Sequence, residues 1–192
     1  PDGKTLATGD ESGQVLVYDL ATVPFDVGSG AGSVAFSPDG KTLASESGNN
    51  QVVLDDLASG KTTTLNYGST VNGVAFSPDG KTLAIGDGSR VLLYDLARGR
   101  TTTLNDGSGV DTVAFSADGR ALASGTDGDQ VLIYDLASGK TTRLNDGSLV
   151  WSVAFSPDGK MVASGTDAGQ VRLYDLASGK TTRLDDGSTV HS

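Results

Sequence analysis

Across residues 113–144 the chain alternates short apolar runs with clusters of turn-forming residues. Val113-Ala-Phe-Ser ends at Ala117-Asp-Gly-Arg, and Ala121-Leu-Ala-Ser is followed by Thr126-Asp-Gly-Asp. A third run, 130–136, stops at Ala137-Ser-Gly, and a fourth, 140–144, places threonines beside long side chains. Each run has the length and boundaries of a β-strand, so the pattern predicts four antiparallel strands, a to d, in sequence order. The turn residues have distinct roles: Pro presets one backbone dihedral, Asp folds back onto its own backbone, and Gly accepts the positive φ that closes the turn. Strands b and c are almost unbroken apolar runs, as inner strands covered on both faces should be, whereas d reads as an exposed outer strand.

The same unit recurs along the chain. Val-Ala-Phe-Ser-Pro-Asp-Gly stands at 34–40, 74–80 and 153–159, and at 113–119 with Ala117 in place of proline; the copies start 40, 39 and 40 residues apart. A fixed period in this range marks a repeat architecture, and four short strands per period is the content of one propeller blade. The expected fold is all-β: a β-propeller domain over 1–192 with repeat units near 1–33, 34–73, 74–112, 113–152 and 153–192. The first unit departs from the others, with Val23-Pro-Phe-Asp-Val where the Thr-rich outer strand should be. The chain begins and ends inside a repeat, and Val190-His191-Ser192 is only the start of a fifth strand a. The sequence therefore reads as a segment of a larger propeller with an open strand edge available for self-association.

These motifs resemble the WD-repeat family, named for a Trp-Asp pair at the end of strand c, and also the related YVTN-type propeller repeats. The pairs here are Tyr18-Asp19, Tyr94-Asp95, Tyr134-Asp135 and Tyr174-Asp175, with Asp55-Asp56 in the second unit. The resemblance implies a hydrogen-bonded set in which Ser45, Ser124 and Ser164 match the family's strand b serine, and Asp127 and Asp167 its turn aspartate. Gly107-Ser108 and Gly147-Ser148 stand where the family has Gly-His, so the set is incomplete. Asp55, in the tyrosine position, is expected to be solvent-exposed or hydrogen-bonded, because burying an unpartnered carboxylate is costly.

Composition narrows the chemistry. The 192 residues include no cysteine and one histidine, His191, so thiolate metal sites and cysteine nucleophiles are excluded, and histidine-based sites would need residues from outside this chain. Pairs such as Asp127 with Asp129 lack the spaced ligands of a calcium loop. No catalytic, cofactor-binding or metal-binding residues are assigned, and no cofactor is expected. No apolar stretch approaches the roughly 18 residues of a membrane-spanning helix, and no membrane partner is expected.

Charge is distributed unevenly among the turns. The formal net charge is −10. Acids and bases balance on the side of the a–b and c–d turns. The b–c and d–a side gathers Asp10, Glu11, Glu46, Asp87, Asp106, Asp111, Asp127, Asp129, Asp146, Asp167, Asp185 and Asp186, with Arg90 the only base assigned near them. Such a face would steer basic partners toward it and repel nucleic acid. On the same side, the second residue of the Val-x-x-Val opening of strand a, which reads Ala31-Gly-Ser-Val34 in its first copy, varies as Gly32, Asn72, Asp111, Trp151 and His191 while its neighbours change less. This position is expected near the mouth of the central channel, with Trp151 as an interface anchor. The resulting expectation is a non-catalytic scaffold that binds a protein or peptide with a basic surface through Trp151, Asp111, Asn72, His191, Asp127 and Asp167. The alternative is the propeller portion of an enzyme or cofactor-binding protein whose catalytic residues lie elsewhere.

Overall fold

The computed structural model describes residues 5–9 and 15–19 as backbone, then 32–47 and 50–185, with residue 185 again as backbone. Strands β1 (Thr5–Gly9) and β2 (Val15–Asp19) pair as an antiparallel ribbon. Four four-stranded antiparallel sheets follow. They comprise β3 (Val34–Phe36), β4 (Thr42–Ser47), β5 (Gln51–Asp56) and β6 (Thr62–Asn66); β7 (Val71–Phe76), β8 (Thr82–Asp87), β9 (Arg90–Asp95) and β10 (Arg100–Asn105); β11 (Val110–Phe115), β12 (Ala121–Thr126), β13 (Gln130–Asp135) and β14 (Thr141–Asn145); and β15 (Val150–Phe155), β16 (Met161–Thr166), β17 (Gln170–Asp175) and β18 (Thr181–Asp185). Spatial order equals sequence order in each sheet, so these are the second to fifth blades of a β-propeller. The described residues contain no helix.

The predicted turns close as their residues dictate. Asp39 Oδ1 accepts hydrogen bonds from Ser37 Oγ and Lys41 N, while Ser37 Oγ accepts one from Thr42 N. The same pattern recurs around Asp79, Asp118 and Asp158. Gly40 closes the turn at φ 70°. The aspartate that ends strand c serves the next turn: Asp135 Oδ1 accepts from Ala137 N and Ser138 N, at 2.9 Å each. The Asp of the Tyr-Asp pair is thus a turn cap.

The core lies between blades. Because side chains alternate across a strand, β12 sends Leu122 back against Ala84 and Val91 of the third blade, and Ala123 forward against Val150, Val153 and Val162 of the fifth. An equivalent layer joins the second and third blades through Ala44, Val52, Leu54, Val71, Leu83 and Ile85. The middle strands are buried on both faces, and the outer strands β6, β10 and β14 are largely exposed, as the pattern predicts.

Strand a begins at the first valine of the Val-x-x-Val opening in the third to fifth blades. Its pairing with strand b slips at Val71/Gly73, Val110/Thr112 and Val150/Ser152. Each slip is a β-bulge, and the residue left over is Asn72, Asp111 or Trp151. Strand b is also longer than expected, because β12 runs through Gly125 to Thr126. The irregular outer strand at 23–27, the ends of the chain with their open edge, and His191 lie outside the described residues.

Candidate interaction site at the strand bulges

A bulge residue is unpaired, and a bulge re-aims the side chain it carries. In three successive blades the bulges bring Asn72, Asp111 and Trp151 to one cavity of about 540 Å3, shared with Gly32, Ser33, Glu46, Gly73, Val74, Thr112 and Val113. Four of the five variable positions therefore meet in space. Asn72 Nδ2 donates to Asp111 Oδ1 at 3.3 Å and to Val110 O at 3.4 Å. Asp111 is half-buried, and its carboxyl is raised above the usual carboxylate range, first by burial and then by the charge of Asp127. Trp151 is 39% exposed.

Asp127 and Asp167 are not among the residues lining this cavity. Asp127 is exposed on the b–c turn, where its Oδ1 accepts from Gly109 N at 2.7 Å. Asp167 is exposed on the corresponding turn of the fifth blade, and its N donates to Leu149 O at 3.1 Å.

Glu46 was missed as a cavity residue. It occupies the strand b position held by Gly86, Gly125 and Gly165 in the following blades, a departure visible in the repeat alignment. Only 7% of it is exposed. Its Oε1 accepts from Gly32 N at 2.6 Å, and burial raises its carboxyl to about 6. The exchange is reciprocal: Gly32 replaces the side chain carried by Asn72, Asp111 and Trp151, and a Cβ at residue 32 would lie 2.6 Å from Glu46 Oε1. The second blade thus contributes its side chain to the cavity from strand b and not from strand a.

The acidic face needs correction. Among the described residues, Glu46, Asp87, Asp106 and Asp146 are buried and bonded inside the fold. Asp87 holds Ser69 Oγ and pairs with Arg90. Asp106 accepts from Ser124 Oγ at 2.5 Å and from the Tyr134 hydroxyl. Asp146 accepts from the Tyr174 hydroxyl and lies 3.3 Å from Arg172 Nε. The role that the resemblance gave to Asp127 in binding Ser124 belongs to Asp106, the residue before Gly107. Arg172, on strand c, is a second base beside these acids. Its half-buried guanidinium also donates to Asn145 O at 3.1 Å. Among the described side chains of this side, solvent-facing negative charge is carried by Asp127, Asp129 and Asp167, with Asp111 at the cavity edge. Asp10, Glu11 and Asp186 lie outside the described residues. Asp55 is buried and hydrogen-bonded, accepting from Thr62 Oγ1 at 2.7 Å.

The family model for the WD domain, G-beta repeat, matches residues 60–95, 99–135 and 139–175, more than half of the chain. The chain belongs to the WD-repeat family. A search of curated proteins found no match. WD-repeat domains are generally non-catalytic scaffolds that bind proteins or peptides, and these blades have the architecture of such an interaction module. In the fourth and fifth blades of this WD-repeat chain the tryptophan of the motif is a tyrosine, Tyr134 or Tyr174, whose hydroxyl reaches a carboxylate on the connector between blades.

Proposed function

We propose that this WD-repeat propeller is a non-catalytic binding module for a protein or peptide with a basic surface, working through the side that carries the b–c and d–a turns. One observation carries the reading: residues of different chemistry at equivalent bulges converge on one cavity, while turns and core are nearly uniform between repeats. Bulges are a common device for presenting side chains at functional sites. Exposed Asp127, Asp129 and Asp167 on the same side support a positively charged partner and disfavour nucleic acid. Trp151 is the anchor because large aromatic side chains dominate interface energetics.

The test compares capture of partners from the native source by three variants. Trp151→Ala is expected to weaken binding by about 2 kcal/mol. Asp127→Lys with Asp167→Lys should chiefly slow association and flatten its salt dependence. Lys41→Glu with Lys140→Glu, on the opposite side, should leave binding intact. Binding abolished by the lysine pair and retained by the Trp151 variant would place the working surface on the other face.

A further inference from the structure

We propose that the cavity lined by the bulge residues takes the guanidinium of an arginine side chain, held between the carboxylates of Glu46 and Asp111 against the ring of Trp151. The inference rests on the proposed working face and names the group it recognises.

Glu46 Oε2 and Asp111 Oδ2 are both buried without a hydrogen-bond partner, and both residues line the same cavity. A buried carboxylate oxygen without a donor is costly; Asp55 Oδ2 and Asp146 Oδ2 are unpartnered too, outside this cavity, so what sets Glu46 and Asp111 apart is that both line one space. The other blades keep glycine at the Glu46 position, as Gly86, Gly125 and Gly165, so a buried glutamate is no requirement of the repeat. Its accommodation required a second departure, Gly32, whose missing Cβ leaves room for Oε1. Two coordinated departures place a carboxylate in this cavity, and among the described residues its lining includes no Lys, Arg or His to neutralise it.

The missing donor is an organic cation. No group of three or more His, Cys, Asp or Glu able to hold a metal ion occurs among the described residues. Arginine fits better than lysine because its planar fork carries five donors, enough to bond two carboxylates from different blades at once. Its face also stacks on aromatic rings, whereas an ammonium is a compact, strongly hydrated charge. Val74 and Val113 supply apolar wall for the side-chain stem.

Trp151 is the only tryptophan in the chain, so its fluorescence reports on the cavity directly. The probe is acetyl-Gly-Arg-Gly-amide, titrated against its citrulline counterpart, which keeps the shape and loses the charge, and its lysine counterpart. Saturable binding of the arginine peptide at millimolar or lower concentration is expected, at least about tenfold tighter than either counterpart. Glu46→Gln and Asp111→Asn should each weaken it by about tenfold or more, since each removes one charged partner. Lys41→Glu with Lys140→Glu should change nothing. Equal binding of the citrulline peptide, no saturation up to ~10 mM, or unchanged affinity in both carboxylate variants would overturn the proposal. Such a result would leave the working-face reading standing if Trp151→Ala still weakens capture of the protein partner. That reading falls separately, if the Lys41 and Lys140 changes abolish capture.

Discussion

At the scale of single residues, repeat chains permit a comparison that unique sequences do not. In the fourth blade, Asp106 on the connector bonds Ser124 on strand b and Tyr134 on strand c. In the third blade the corresponding positions are Tyr67, Ile85 and Tyr94, which pack together as part of an apolar cluster. In the fourth blade the serine supplies a donor that the buried carboxylate needs, whereas the third blade replaces both groups with side chains that pack without that bond. Ser124→Ile alone is therefore expected to destabilise the protein by roughly 1–3 kcal/mol by stripping a donor from a buried acid. Adding Asp106→Tyr should recover much of that loss. Urea unfolding of both single variants and the double variant forms a thermodynamic cycle; additive effects would show that the two positions are independent.

Much of the element scale was legible from period-2 runs and turn chemistry: four strands per unit, their order, and a doubly covered b and c. The strand ends were less so. Gly125 looks like part of a turn, yet it lies inside β12, where a Cβ would come within 2.6 Å of Val150 Cγ1 and 2.7 Å of Thr112 Cγ2. The glycine is there for close approach of the next blade, a contact between residues far apart in sequence that local pattern does not encode. Gly125→Ala is expected to cost roughly 1–3 kcal/mol through overpacking, read as a lower urea midpoint at unchanged slope. The bulges were hidden for a related reason. Variation at residues 72, 111 and 151 pointed to an unusual position, but that each is the extra residue of a bulge follows only from the pairing register. The sequence also assigned acids to turns without revealing which turn ends fold inward, and for that reason it counted Asp106 and Asp146 as surface charge.

At the scale of the whole molecule, the carboxylates divide into two populations with opposite effects on stability. Burial raises Glu46 and Asp106 to about 6 each, so the folded state binds protons there more readily than the unfolded chain. Their favourable contribution is complete below the unfolded values and is lost as pH rises through about 6. The turn acids Asp39, Asp79, Asp118 and Asp158, with Asp56, Asp95, Asp135 and Asp175, behave in the opposite sense. Hydrogen bonds from turn hydroxyls, N–H groups and, at Asp95, the Arg98 side chain lower their carboxyls. Their contribution is present above the unfolded value of 3.8 and disappears as pH falls through the lower folded values. Stability should therefore rise as pH is lowered from neutrality to about 5, by on the order of 2 kcal/mol, and fall below about 4. The variant Glu46→Gln with Asp106→Asn separates the two populations. Neither amide titrates, so the rise between pH 7 and pH 5 should flatten while the acid limb remains. Reduced net charge also relieves self-repulsion as pH falls, but that effect would persist in the variant. A rise equally steep in the double variant would assign the pH dependence to net charge and to Asp111, whose carboxyl is also raised by burial, and not to Glu46 and Asp106.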